Sequence, residues 1–127
     1  MNPAMSHSPE TSIHLIADIA ATHGLGDLEL IEAALRDAAR AAGATVIDVR
    51  LHHFGPGMGV TGVALLAESH ISIHTWPEHA LAAVDLFVCG ASADARAGLE
   101  VIRERLKGTV LLEKAIARLG SAGSRAP

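Results

Sequence analysis

The chain has 127 residues, the length of one small domain, and half of them are apolar, which is enough to bury an aliphatic core. A formal net charge of −4 without any run of Lys or Arg argues against nucleic acid as a partner. The single cysteine, Cys89, excludes an intrachain disulfide, and neither a signal-peptide pattern nor an apolar run near the ~20 residues of a membrane span is present, so we expect a cytoplasmic protein.

Apolar periodicity predicts one domain with six strands and two helices, between loose ends at residues 1 to about 12 and 120–127. The first half is expected to hold a strand over 13–19, a helix over 28–42 capped by Asp27, and strands over 45–54 and 60–67. The second half is expected to hold strands over 70–76 and 82–90, a helix capped by Ser92, and a strand over 109–116.

This βαββ–ββαβ order predicts an α+β fold, a two-layer sandwich in which two helices cover one face of a largely antiparallel sheet. The chain has no further element to cover the opposite face of the sheet. We therefore expect a second subunit to cover it, giving at least a dimer.

Polar side chains gather on the strand that begins near His70. Alternation places His70, Ser72 and His74 on one face, and Asp85, Phe87 and Cys89 share a face of the next strand. Two histidines four apart on a strand lie about 13 Å from each other, too far to chelate one ion, and no CxxC or HExxH pattern exists, so we predict no metal site. From the pattern alone, these polar side chains could also simply form the solvent-facing side of a sheet.

Two further interpretations of these residues are weaker. Ser69 lacks the G-x-S-x-G elbow of a Ser-His-Asp hydrolase. Five other histidines have no supporting motif and are expected at the surface or half-buried; they are His7, His14, His23, His53 and His79.

The block ESHISIHTWPEH, followed by AAVDLFVCG, resembles the processing and active-site region of the small prokaryotic S-adenosylmethionine decarboxylases, which are pyruvoyl enzymes. The segments HLIADI, GATVIDVRLHHF and GVTGVALLAESH resemble the strands around it, so the likeness spans roughly residues 13 to 116. The resemblance implies self-cleavage between Glu68 and Ser69, in which the serine hydroxyl attacks the preceding carbonyl. The expected products are a β chain, residues 1–68, and an α chain, residues 69–127, that begins with a pyruvoyl group derived from Ser69. A tight, strained turn would favour this step.

The same resemblance assigns catalytic roles. The pyruvoyl group would form a Schiff base with the substrate amine and accept the electrons left by CO₂, a role that pyridoxal phosphate fills elsewhere. Cys89 would be the general acid of decarboxylation. His74 would take the Ser69 α-proton during processing, and the Thr61 hydroxyl would assist processing. Phe54 would stack on the adenine and Glu78 would bind the ribose hydroxyls. The likeness also implies a four-layer α/β/β/α homodimer with both sites near the interface.

Several positions depart from the family pattern. The loop Gly55–Gly59 is one residue longer than usual, Thr61 replaces a serine, and Ala80-Leu81 stands where the family has Gly-Tyr. These departures surround substrate recognition and spare the pyruvoyl chemistry. The leading expectation is S-adenosylmethionine decarboxylation for spermidine synthesis. The alternatives are a pyruvoyl-dependent arginine or ornithine decarboxylase and, from another class, an uncleaved and silent subunit.

Overall fold

The computed structural model describes residues 8–120. Its strands are β1 (Ile13–Ala20), β2 (Val46–His53), β3 (Val60–Leu66), β4 (Ser69–Trp76), β5 (Leu81–Val88) and β6 (Thr109–Ala117), and its helices are α1 (Leu28–Ala41) and α2 (Ala95–Arg105). All strands join one antiparallel sheet in the order β2-β3-β4-β5-β1-β6. The predicted element order and the α+β sandwich are confirmed.

Both helices pack on one face of the sheet through their apolar stripes. Leu15, Ile71 and Leu86 from neighbouring strands meet Leu35 of α1 and Ile102 of α2, and all five are fully buried. Burial of such aliphatic side chains is the dominant favourable term in folding. The aliphatic, alanine-rich core expected from composition is therefore the layer between helices and sheet.

The two helices begin at aspartates. Asp27 accepts a hydrogen bond from the Leu30 amide at 3.1 Å and caps α1 as predicted. The prediction of Ser92 as the cap of α2 is wrong, because Asp94 accepts from the Ala97 amide at 3.0 Å. Aspartate fills the same role as serine at this position by satisfying an amide that the helix leaves unpaired.

The segment before β1 is better ordered than the sequence suggests. Residues 1–7 and 121–127 lie outside the described residues. Pro9–Thr11 forms a single 3-10 turn, the Thr11 hydroxyl accepts from the Gly90 amide at 2.9 Å, and Ser12 is 1% exposed. The expectation of a loose leader up to residue 12 is therefore wrong for residues 8–12, because this segment is fastened to the end of β5.

The outer face of the sheet, opposite the helices, carries large apolar side chains. Leu65, Trp76, Leu81, Leu112 and Ile116 are each 39–46% exposed in the single chain. Outward-facing polar residues of β1, β4 and β5 lie among them. A continuous, partly apolar sheet face is the kind of surface that proteins normally cover. Among the described residues, no helix has the length and hydropathy needed to cross a membrane.

Candidate active site

The predicted cleavage point lies in the tight turn that joins β3 to β4. Ala67 and Glu68 form the turn and Ser69 begins β4. Glu68 has φ +58°, a left-handed conformation that a residue with a Cβ adopts only at a cost of about 1–2 kcal/mol. The Ser69 hydroxyl donates to the Ala67 carbonyl at 3.1 Å. The backbone is thus strained at the peptide that the sequence marks for cleavage, as expected.

The thiol of Cys89 lies directly against this peptide. Its Sγ donates to the Glu68 carbonyl oxygen at 3.2 Å, and the hydroxyl of Ser12 lies 3.2 Å from the same sulfur. A cavity of about 270 Å³ opens beside them and is lined by Ser69, Cys89 and small polar or alanine residues. The structure therefore brings Glu68, Ser69 and Cys89 together in what we call the cleavage cluster.

The remaining predicted residues form a second group, together with Trp76. Phe54, Thr61, His74, Trp76 and Glu78 line another cavity of about 270 Å³. Thr61 and His74 face each other across β3 and β4, and the Thr61 Oγ1 lies 3.1 Å from the His74 Nδ1. Phe54 is 56% exposed, and its ring makes an edge contact with the His52 ring at 4.6 Å between centroids. We call this group the recognition cavity.

The two groups lie at opposite ends of β4. Ser69 begins the strand and His74 stands five residues further, which at ~3.4 Å per residue is ~17 Å along the strand. A proton transfer needs donor and acceptor within about 3 Å. Within one chain, therefore, His74 does not reach Ser69, and the role predicted for it requires a second chain.

The outer face also carries a hydrogen-bonded network that sequence patterns do not reveal. Asp85 accepts from the Ser72 hydroxyl and lies 2.8 Å from the His14 Nε2, with the His70 Nε2 at 3.5 Å. Burial raises the pKa of Asp85, but the Ser72 and His14 hydrogen bonds and the nearby histidines outweigh it and hold that pKa below its usual range. His14 is thus half-buried and hydrogen-bonded to Asp85, a partner that its sequence context did not indicate.

The atoms of His14, His70 and Asp85 lie within 4.8 Å of one another, a grouping compatible with a metal site. However, the His14 Nδ1 lies 3.0 Å from an Arg118 amino group, which can only donate. Nδ1 must then be the unprotonated nitrogen, and Nε2 carries the proton that it gives to Asp85. In this tautomer Arg118, His14 and Asp85 form a chain of hydrogen bonds.

Comparisons with known proteins identify the family. The family model described as S-adenosylmethionine decarboxylase matches residues 13–118. A solved structure, the adenosylmethionine decarboxylase from Aquifex aeolicus, superimposes with a TM-score of 0.76 at 34% identity, covering 87% of this chain and 92% of the other. The chain belongs to the S-adenosylmethionine decarboxylase family.

Two curated relatives show the extent of the likeness. An S-adenosylmethionine decarboxylase proenzyme from Thermomicrobium roseum is 43% identical over 94 residues, which are 74% of this chain and 81% of the relative. One from Methanococcus aeolicus is 53% identical over 77 residues, 61% of this chain and 65% of the relative. The resemblance inferred from the ESHISIHTWPEH block is confirmed.

The departures from the decarboxylase family pattern have local explanations. The longer Gly55–Gly59 loop is closed by the Phe54 amide, which donates to the Gly59 carbonyl at 3.0 Å, and Phe54 lines the recognition cavity. A Cβ on Gly59 would lie 1.8 Å from the Thr75 carbonyl oxygen, so only glycine fits there. Ala80 has φ +55°, a conformation that the glycine usual in the family adopts without strain.

Two residues at the candidate site were not predicted from the sequence. Trp76 lines the recognition cavity at 44% exposure, and its position beside Pro77 in the matching block was the available signal. Ser12 contacts the Cys89 sulfur from 77 residues away, and no sequence motif announces that contact.

Proposed function

We propose that this chain is an S-adenosylmethionine decarboxylase that activates itself by cleavage between Glu68 and Ser69. The observation that carries the proposal is the Cys89 thiol donating to the carbonyl of a left-handed Glu68, immediately before Ser69. A hydrogen bond to this oxygen stabilises the negative charge that develops when the carbonyl carbon is attacked. The strain at Glu68 raises the energy of the peptide relative to the ester that replaces it.

The cleavage sequence uses only groups of the chain and one water molecule. The Ser69 hydroxyl oxygen bonds to the Glu68 carbonyl carbon, the C–N bond breaks, and the amine takes up the hydroxyl proton, giving an ester. A base then removes the Ser69 α-proton while Glu68 departs as a carboxylate, leaving dehydroalanine. Water replaces the nitrogen, ammonia leaves, and a pyruvoyl group stands at position 69. We assign the removal of the Ser69 α-proton to His74.

The residues around position 69 fit such a group. It would stand beside a small cavity that Cys89 lines, at the start of a strand that fixes its direction. When present, a pyruvoyl group supplies an electron sink for decarboxylation of an amino acid. The Cys89 thiol then delivers a proton to the carbon from which CO₂ has left, and recovers one from solvent.

The recognition cavity suits a nucleoside. Phe54 and Trp76 offer aromatic faces to an adenine, and Glu78 is an exposed carboxylate that can accept hydrogen bonds from two ribose hydroxyls. A plain amino acid such as arginine or ornithine would offer neither ring a flat group to stack on. The family of the matched relatives also favours S-adenosylmethionine, and its decarboxylated product would serve as an aminopropyl donor for spermidine.

The active form is a homodimer that pairs the outer sheet faces. Burying such a face contributes about 25 cal/mol per Å² of apolar area. In a two-fold dimer whose facing strands run antiparallel, the start of a strand in one chain lies opposite the end of the same strand in the partner. The sheet end that carries the cleavage cluster of one chain then meets the sheet end that carries the recognition cavity of the other. Each complete site would then use Ser69 and Cys89 of one chain and the partner's His74.

The location follows from the chemistry of the site. A thiol that must stay reduced, with no disulfide possible in the chain, belongs in a reducing compartment. We therefore propose the cytoplasm.

The test is release of labelled CO₂ from carboxyl-labelled S-adenosylmethionine, arginine and ornithine by the purified, processed protein. The proposal expects turnover of S-adenosylmethionine alone. Phe54→Ala is expected to raise KM, and the conservative Phe54→Tyr to preserve it. Turnover of arginine or ornithine in preference to S-adenosylmethionine would overturn the substrate assignment.

A further inference from the structure

Ser12 is a buried hydroxyl directed at the sulfur of Cys89. The residue is 1% exposed, and its Oγ lies 3.2 Å from the Cys89 Sγ. Its backbone is fixed on both sides, since its amide donates to the Pro9 carbonyl at 3.1 Å and its carbonyl accepts from the Arg118 amide at 3.0 Å. The hydroxyl therefore has a defined position, set by the backbone and independent of the thiol.

The proton positions follow from counting donors. A thiol has one hydrogen, and the Cys89 thiol directs it to the Glu68 carbonyl oxygen. The hydrogen between Ser12 and Cys89 must then come from the serine hydroxyl. Within residues 8–120, the thiol is the only side-chain partner of that hydroxyl.

We propose that Ser12 is a positioning residue, which aims the Cys89 thiol at the scissile carbonyl and stabilises the sulfur when it gives up its proton. The proposal rests on the function proposed above and adds to it a residue outside the matched processing block. By donating to the sulfur, the Ser12 hydroxyl restricts rotation of the thiol and leaves its hydrogen pointing at Glu68. The same bond strengthens once the sulfur is negative, because bonds to an ionised acceptor are about twice as strong.

A merely structural Ser12 would have different consequences. If it only satisfied a buried polar atom, its replacement by alanine would change stability and leave the reactivity of the thiol alone. If it positions the thiol, Ser12→Ala makes the negative sulfur less stable and moves the pH dependence of its reactivity upward. The chain favours this comparison, because Cys89 is its only cysteine and any alkylated thiol is Cys89.

The experiment measures the rate of iodoacetamide alkylation between pH 6 and 10 in a Ser69→Ala background, in which the chain stays uncleaved. Adding Ser12→Ala is expected to slow alkylation at pH 7.5 about threefold to tenfold, the loss of one hydrogen bond to the sulfur, and to move the profile to higher pH. Ser12→Thr, which keeps the hydroxyl, is expected to restore the profile. Thr11→Ala is the matched control, since that hydroxyl holds the Gly90 backbone without touching the sulfur.

The same substitution with Ser69 intact is expected to slow self-cleavage by a similar factor, followed by intact mass. An alkylation profile unchanged by Ser12→Ala, or moved as far by Thr11→Ala, would overturn the proposal. This readout does not depend on processing. A chain that never cleaves would overturn the proposed function, and the Ser12 result would still stand or fall on its own.

Discussion

His74 and Ser69 of one chain are too far apart to react, and this separation makes a direct test of shared sites possible. The two residues stand ~17 Å apart along β4, whereas proton transfer needs about 3 Å, so no side-chain rotation closes the gap. In a dimer with shared sites, a His74→Ala chain lacks the base that its partner needs. A Ser69→Ala chain keeps its own histidine and can supply it.

Co-expressing the two variants in equal amounts should therefore restore cleavage that neither shows alone. Random pairing puts roughly half of the His74→Ala chains into mixed dimers, each with one complete site. About half of all His74→Ala chains should therefore be cleaved. Ser69→Ala chains stay intact in every pairing. Intact-mass spectrometry separates all species, because the two variants differ in mass.

The control is His79→Ala, a histidine in the turn after Pro77 that does not line the recognition cavity. It should cleave fully without any partner variant. If the mixture shows no cleavage beyond the His74→Ala chain alone, His74 does not act across the interface. If His74→Ala cleaves alone at the normal rate, its role in processing is wrong altogether.

Three further outcomes follow from the contacts. Cys89→Ala should slow self-cleavage, followed by mass spectrometry, about tenfold; loss of a strong oxyanion donor slows a reaction a hundredfold or more, but a thiol donates only weakly. Cys89→Ser keeps a donor and should cleave faster than Cys89→Ala. Thr75→Val should lower the free energy of unfolding in urea by about 2–4 kcal/mol, because the buried Val60 amide and Leu25 carbonyl both lose their hydrogen bond to the hydroxyl. Thr75→Ser, which keeps a hydroxyl, should lower it less. Because the pKa of Asp85 is lower in the folded than in the unfolded chain, ionised Asp85 stabilises the fold at pH values above its unfolded pKa of about 3.9, and this stabilisation is lost as the pH falls through the folded pKa. Asp85→Asn should therefore lower the free energy of unfolding at pH 7 and leave it unchanged in strong acid.

The fold was predictable because each element has a local signal. Alternation along β4 placed His70, Ser72 and His74 on one face, and Ile71 and Ile73, which alternate with them, are buried on the other face. Asp27 stood where a cap was needed. Ser92 was chosen for α2 although Asp94 stands two residues later, because both are good caps and sequence alone does not rank them.

The site was only partly predictable, because its contacts are long-range. Cys89 could be placed near the cleavage turn from adjacent strands, but β1 lies between β5 and β6, and this order brings Ser12 and His14 to residues more than 70 positions away. The separation of His74 from Ser69 was implicit in the strand spacing. The proposal that a complete site takes residues from two chains rests on finding Cys89 beside Ser69 and Thr61 beside His74.

Intact-mass spectrometry of the purified full chain decides whether the protein cleaves itself between Glu68 and Ser69. We expect two species, one ending at Glu68 and one beginning at position 69, the second lighter than the unmodified fragment by one molecule of ammonia. A single unmodified chain of 127 residues after prolonged incubation would contradict it.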